Sequence, residues 1–284
     1  MQIGVGLFFT DYAMPATEIA QALEARGFDS LWAPEHSHIP ASRESPFPPG
    51  GDLPKEYYDL MDPFVVLTAA AAVTKRLKLG TGVCLVAQRD PIQTAKLVAS
   101  IDQVSGGRFL FGVGNGWNAE EMADHGTAFK SRHKLARERI EAMKAIWTQA
   151  TASYDGELVK FGPMMAWPKP LQKPHPPVIV GGAFPYAARR AIAYGDGWIP
   201  HAARQQYGDV TEYLPQFHQM AREAGRDPAS LPVTVWGSKL SADDLKRLRD
   251  KGVACVVIQL KTAGADEILP VLDGFAKIIP EVAA

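Results

Sequence analysis

The sequence predicts a (β/α)8 TIM barrel, on three observations. Eight short apolar runs alternate with helical segments, the runs end in glycines and polar residues, and no Gly-x-Gly-x-x-Gly follows the first run to open a helix. Strands joined by crossover helices must pair in parallel, and eight such units close most economically into a ring. The missing fingerprint counts against the rival, an open doubly wound sheet. No short-period repeat points to a solenoid. A chain of 284 residues suits one barrel, so residues 1–284 are expected to form a single domain.

The elements follow in order. Residues 3–9 read as a first strand, and a helix from about Pro15 buries Ile19, Ala20 and Leu23 and stops at Gly27. Residues 28–33 form a second strand that ends in Pro34-Glu35-His36-Ser37-His38. A proline- and glycine-rich stretch, 39–61, then forms an insertion loop, of a length usually reserved for a functional wall or lid. Asp62-Pro63 caps a mostly apolar helix over 64–74. The third strand, 77–86, is interrupted by Gly80-Thr81-Gly82, and a helix over 91–105 stops at Gly106-Gly107.

The fourth strand, 109–113, opens into Gly114-Asn115-Gly116-Trp117. Its helix starts near Ser131, with Ala136, Ile140, Met143 and Trp147 at a helical interval. Residues 154–157 have a hairpin turn's chemistry. Residues 167–177 are too rich in proline for helix or sheet and predict an extended segment before strand five. That strand is 178–180 and ends in Gly181-Gly182; a helix over 185–194 leads to the sixth, 197–200. A helix over 210–224, strands at 233–236 and 253–260, a capped helix over 242–251 and a last helix over 265–279 complete the count.

Bulk properties exclude several classes. The 30 basic and 31 acidic residues leave a formal charge of -1, poor material for binding nucleic acid or an anionic membrane. No apolar run is long enough to span a bilayer and no secretory leader is evident, so a cytoplasmic protein is expected. Cys84 and Cys255 lie in apolar stretches without metal-type spacing and read as buried thiols.

In a barrel of this kind, the chemistry sits where the carboxyl ends of the strands converge. Those ends offer Phe8, Phe9 and Asp11; Glu35 and His36; Thr81, Gly82, Val83 and, slightly later, Arg89; Asn115, Gly116 and Trp117; Gly181, Gly182 and Ala183; and Trp198 and His201. Aromatic and small residues abound while dense carboxylate or histidine clusters are missing, which suits a flat apolar ring better than a metal ion. Gly181-Gly182-Ala183 before a helix can hold a phosphate on free backbone N–H groups, or serve only as a tight turn. Arg189 and Arg190 lie a turn further on. His36 is the leading candidate for proton transfer, because imidazole titrates near neutral pH. The charged residues Arg132, His133, Lys134, Arg137 and Arg139 read as a solvated helix face.

The motifs Trp32-Ala-Pro-Glu-His36, Asp62-Pro-Phe, Leu79-Gly-Thr-Gly-Val83 and Ser105-Gly-Gly-Arg-Phe-Leu-Phe-Gly-Val-Gly-Asn-Gly-Trp117 occur in a telling order. With Glu120-Glu121, Pro177-Val-Ile-Val-Gly-Gly182 and Gly195-Asp-Gly-Trp198, the chain resembles the luciferase-like monooxygenase superfamily, in its coenzyme F420-dependent branch. The resemblance covers residues 1–200 well and is generic beyond. It implies hydride transfer between a deazaflavin and a small organic substrate, with His36 handling the proton. It places a non-proline cis peptide at Gly82-Val83 against the cofactor's central ring, Phe8, Thr81 and Trp117 near it, Asn115-Gly116 at the ring's edge, and Gly181-Gly182-Ala183 at the phosphate. Some sugar-oxidising relatives carry a carboxylate at the position of Trp117, so glucose-6-phosphate oxidation is not implied. The resemblance also implies a homodimer. Rival readings are an FMN-dependent monooxygenase of the same superfamily, a non-catalytic flavin-binding barrel, and a sugar-phosphate isomerase or aldolase barrel, for which a lysine or carboxylate at a strand end is missing.

Overall fold

Two tryptophans stand edge to face inside a ring of parallel strands, and glycines make room for them. The computed structural model describes residues 1–202, 208–237 and 241–283. In chain order they form β1 (Gln2–Gly6), α1 (Ala16–Ala25), β2 (Ser30–Ala33), α2 (Pro63–Ala72), β3 (Lys78–Thr81), β4 (Cys84–Leu85), α3 (Pro91–Ser105) and β5 (Phe109–Gly114). There follow α4 (Ala119–Asp124), α5 (Arg132–Thr148), β6 (Ala152–Asp155), β7 (Lys160–Met164), β8 (Val178–Gly181), α6 (Tyr186–Tyr194) and β9 (Gly197–Ile199). The chain ends with α7 (Val210–Glu223), β10 (Thr234–Trp236), α8 (Ala242–Asp250), β11 (Cys255–Gln259), α9 (Ala265–Ala276) and α10 (Ile279–Ala283).

The staves run in the order β10-β11-β1-β2-β3-β5-β8-β9, all parallel, with β4 paired to β5. Parallel bridges from Trp198 to Val233 and from His201 to Trp236 bring β9 back to β10. The ring is thus a nearly closed eight-stave (β/α)8 barrel, as the alternation predicts. Inside it the Trp32 and Trp236 rings lie 6.3 Å apart at 90°, packed with Ile179, Ile199 and Val257. A Cβ on Gly4 or Gly80 would strike Trp32, and one on Gly6 or Gly82 would strike Trp236. These strand glycines give up side chains and so make room for two large ones.

Asp62 and Asp90 cap α2 and α3, each ahead of a proline, and Gly106 ends α3 in the left-handed region at φ 69°. The expected cis peptide and hairpin are both present, and a short helix is added. The third strand is split into β3 and β4 by Gly82-Val83, whose peptide is cis. Between strand four and the helix expected from Ser131, residues 119–124 form the short helix α4. The predicted hairpin turn carries a two-stranded antiparallel ribbon, β6–β7, outside the barrel. The stretch 167–177 forms no regular element, and the insertion 39–61 contains only one 3-10 turn, Lys55–Tyr57.

Candidate functional site

The carboxyl ends of the staves enclose a cavity of about 550 Å³. Ten of the predicted site residues line it: Phe8, His36, Gly82, Val83, Asn115, Gly116, Trp117, Gly181, Gly182 and Ala183. Thr81 does not. It is fully buried, and its hydroxyl donates to the Gly112 carbonyl at 2.7 Å. Alternation explains the correction, since Gly80 and Gly82 face the interior tryptophans and the residue between them points the other way. Trp236, Ile199 and Val83 give the cavity an apolar floor.

His36 leaves the end of β2 with its Nδ1 2.8 Å from Oε2 of Glu121. Glu121 is wholly buried on α4, and its Oε1 accepts the backbone N–H of Ser37 at 3.0 Å. Burial alone would raise the Glu121 pKa, but the hydrogen bond and charge of His36, with the Ser37 amide, outweigh it and hold the carboxyl below its ordinary value. An ionised Glu121 fixes the proton of the imidazole on Nδ1, leaving Nε2 as the atom available for proton exchange. From sequence, Glu121 stands only within the Glu120-Glu121 motif, with no role of its own, although Asn118-x-x-Glu121 is a capping signature. Asn118 does cap α4, accepting the Glu121 N–H at 3.1 Å.

The insertion supplies an aromatic wall around His36. Tyr57 lies 5.6 Å from the imidazole and 4.7 Å from Phe8, and Trp117 lies 5.6 Å from the imidazole on another side. Phe47 packs against both Tyr57 and Trp117, at 5.2 and 6.1 Å. Two contacts moor the insertion. Glu120 of α4 accepts the Ser45 N–H at 2.9 Å and also its hydroxyl. Met61 donates to the Phe9 carbonyl at 2.8 Å.

Glu35 does not orient His36. It accepts the Leu85 N–H at 2.7 Å and pairs with Arg89, which also pairs with Asp62. Arg89 is thereby committed to bracing β4 and α2, and Arg189 is exposed and absent from the lining. The guanidinium that does line the cavity is that of Arg190, with His133 near it. His133 lies on an exposed face of α5, as expected, and its Nδ1 lies 2.6 Å from the Asn115 amide nitrogen. Burial, then the charges of Arg132 and Arg190, depress its pKa to about 4. The contact joins residues eighteen apart across a loop, which no helical periodicity reveals.

The lining fits a flat ring with an anionic tail. The buried Nε of Arg190, which lines the cavity, has no partner among the described residues, and a half-buried guanidinium without a counter-charge favours an anion. Gly182 sits at φ 126°, and a Cβ there would press on Ala187 at 3.2 Å and come within 3.7 Å of Arg190. A side chain at this turn would fill the space beside the guanidinium. Among the described residues no group of histidine, cysteine and carboxylate side chains is placed to hold a metal ion, and no helix is long and apolar enough to cross a membrane.

Comparison with known proteins agrees with this architecture. The sequence profile of the luciferase-like monooxygenase family matches residues 10–263. An uncharacterized protein of Mycobacterium tuberculosis is 41% identical over 276 residues, covering 94% of each chain. An F420-dependent hydroxymycolic acid dehydrogenase of the same organism is 29% identical over 215 residues, 75% of this chain and 55% of that protein. Among solved structures, a monooxygenase from Streptomyces bottropensis superposes over the full length of both chains with a TM-score of 0.80 at 20% identity, a likeness of fold.

Proposed function

Because this chain belongs to the luciferase-like monooxygenase family, we propose that it is an oxidoreductase moving a hydride between coenzyme F420 and a small organic substrate. The observation that carries this reading is His36, backed by Glu121 and walled by aromatic rings, in one cavity with Arg190, whose Nε has no partner among the described residues. The likeness to an F420-dependent dehydrogenase supports the choice of cofactor.

Gly181, Gly182, Ala183 and Arg190 would take the phosphate of the cofactor. Val83 and Trp236 would lie against its ring, with Asn115 and Gly116 at the edge. When bound, the deazaflavin supplies the redox step, which no side chain here can provide. The chain handles the proton. Glu121 holds Nδ1–H of His36, and Nε2 takes a proton from a substrate hydroxyl or returns it to a carbonyl oxygen. Phe8, Phe47, Tyr57 and Trp117 exclude water and favour an apolar substrate body. The same arrangement serves either direction. We also read the active unit as a homodimer, through the exposed apolar residues of α2 and α3.

Fluorescence titration of the purified protein with coenzyme F420 and with FMN tests the assignment. Saturable binding of F420 in preference to FMN is the expected result. Tight FMN binding with no response to F420 overturns it in favour of the FMN-dependent monooxygenase. Unchanged turnover in His36→Ala rejects the proton role.

A further inference from the structure

The insertion brings a carboxylate into the cavity beside its aromatic wall. Glu56 belongs to the 3-10 turn Lys55–Tyr57, is partly buried, and lines the cavity next to Tyr57. It makes no hydrogen bond or ion pair among the described residues. The insertion's own two cations are engaged elsewhere. Lys55 pairs with Asp59 and stands 4.5 Å from the Tyr12 ring centroid, and Arg43 lies 5.9 Å from that of Tyr58. Glu35, the other carboxylate of the lining, is neutralised by Arg89. Among the described residues Glu56 is therefore the lining carboxylate that lacks a counter-charge.

The rings beside it suit a cation as well. Phe8 and Tyr57 meet at 53°, Phe47 and Tyr57 at 73°, and Phe47 and Trp117 at 63°. All four line the cavity, and none of these pairs is stacked flat. An aromatic face carries the negative part of the ring quadrupole and attracts a cation within about 6 Å. A purely apolar ligand would use the rings but would also strip water from Glu56 with nothing in return.

We propose that this wall binds an alkylammonium group, with Phe8, Phe47, Tyr57 and Trp117 against its N-alkyl carbons and Glu56 as its counter-ion, which makes the substrate an amino alcohol or amino ketone. The proposal deepens the reading above and rests on it for the reaction, not for the binding. Tyr57 and Trp117 each lie 5.6 Å from the His36 ring, so one small molecule spans the wall and Nε2. A nitrogen carrying alkyl groups fits better than a primary ammonium, which is strongly hydrated and loses more on entering among rings.

Choline and its carbon isostere, the alcohol in which a tert-butyl group replaces trimethylammonium, test the idea. The two share shape and hydroxyl and differ in one charge. Their affinities are read by nuclear magnetic resonance titration of the purified protein, with and without coenzyme F420. Choline is expected to bind about tenfold more tightly, the combined worth of a cation–π contact and a partly exposed ion pair. In Glu56→Gln, which removes no contact within the protein, the ratio should fall to about threefold, and Phe47→Leu should lower it likewise. Equal affinity for the two compounds, or no saturable binding of choline, overturns the proposal. A preference that Glu56→Gln leaves intact overturns it too. If coenzyme F420 fails to bind while choline still exceeds its isostere, the cofactor assignment falls and the ammonium site stands, so the two can fail separately.

Discussion

His36 Nδ1 lies 2.8 Å from Glu121 Oε2, and the carboxylate is wholly shut off from solvent. Such a pairing sets which imidazole nitrogen carries the proton, and so which one works. Glu121→Gln keeps the shape but lets the amide N–H donate to Nδ1, which forces the proton onto Nε2. Turnover is expected to fall roughly 10²- to 10⁴-fold, the usual worth of a general acid or base, with cofactor affinity unchanged. Steady-state kinetics with separate cofactor titrations would check this; an unaltered kcat and pH profile would refute it.

The same pair makes a pH prediction. The pKa of Glu121 in the fold is lowered from 4.5, so its ionised form contributes stability that is present above that value and lost as pH falls below it. The difference in urea midpoint between the natural protein and Glu121→Gln should therefore hold from pH 7 to about 4.5 and shrink as pH falls further. A gap that stays constant below about 4.5 would show that the carboxylate's charge is irrelevant to the fold.

Glu120 moors the insertion through Ser45. Burial acts to raise its pKa, but the Ser45 hydroxyl and amide outweigh it and hold the value at about 2. The mooring is thus complete above about 4.5 and weakens as pH falls toward 2. Because Glu120 is partly exposed, its removal in Glu120→Ala should cost only about 1 kcal/mol of loop closure, roughly fivefold faster amide exchange at Ser45. The substrate KM should rise while cofactor binding holds. Unchanged exchange at Ser45 would mean that the insertion stays closed without this contact.

How far the sequence discloses the site depends on how local each contact is. The alternation of strand and helix, the Asp-Pro caps and the strand-end glycines are local signals, and the barrel and ten lining positions follow from them. His133 and Glu121 are placed by loop geometry. The imidazole of His36 reaches 85 residues along the chain to Glu121, and Asn115 reaches across a loop to His133. The helix of His133 carries many charges, so periodicity reads it as solvated, and the six-residue helix of Glu121 is too short to show a period. Thr81 misleads in the opposite way, because it sits within a recognisable motif but on the wrong face of its strand.

Gly80 and Trp32 form a matched pair, the glycine leaving the space that the indole fills. Gly80→Ala puts a methyl into a ring that is 1% exposed, and overpacking of this kind costs about 1–3 kcal/mol. A drop in Tm of roughly 2–10 °C is expected for a domain of this size. Trimming the ring with Trp32→Leu in the alanine background should recover part of the loss, so the double-mutant cycle should show coupling. Strictly additive effects would place the strain elsewhere.

The homodimer rests on apolar surface that one chain leaves uncovered. Val65 on α2 is 68% exposed and Val104 on α3 is 55% exposed. Elsewhere on α3, Lys96 donates to the carbonyl of the exposed Trp167. Exposed apolar residues on helices that pack together fit an interface. Sedimentation at micromolar concentration should give twice the mass of one chain. Val65→Glu with Val104→Glu should return it to one, since a buried unpaired carboxylate is costly. The cavity lies at the carboxyl ends of the strands, and neither valine lines it, so cofactor affinity should survive the change. A natural protein that sediments as a single chain would remove the dimer and leave the site intact.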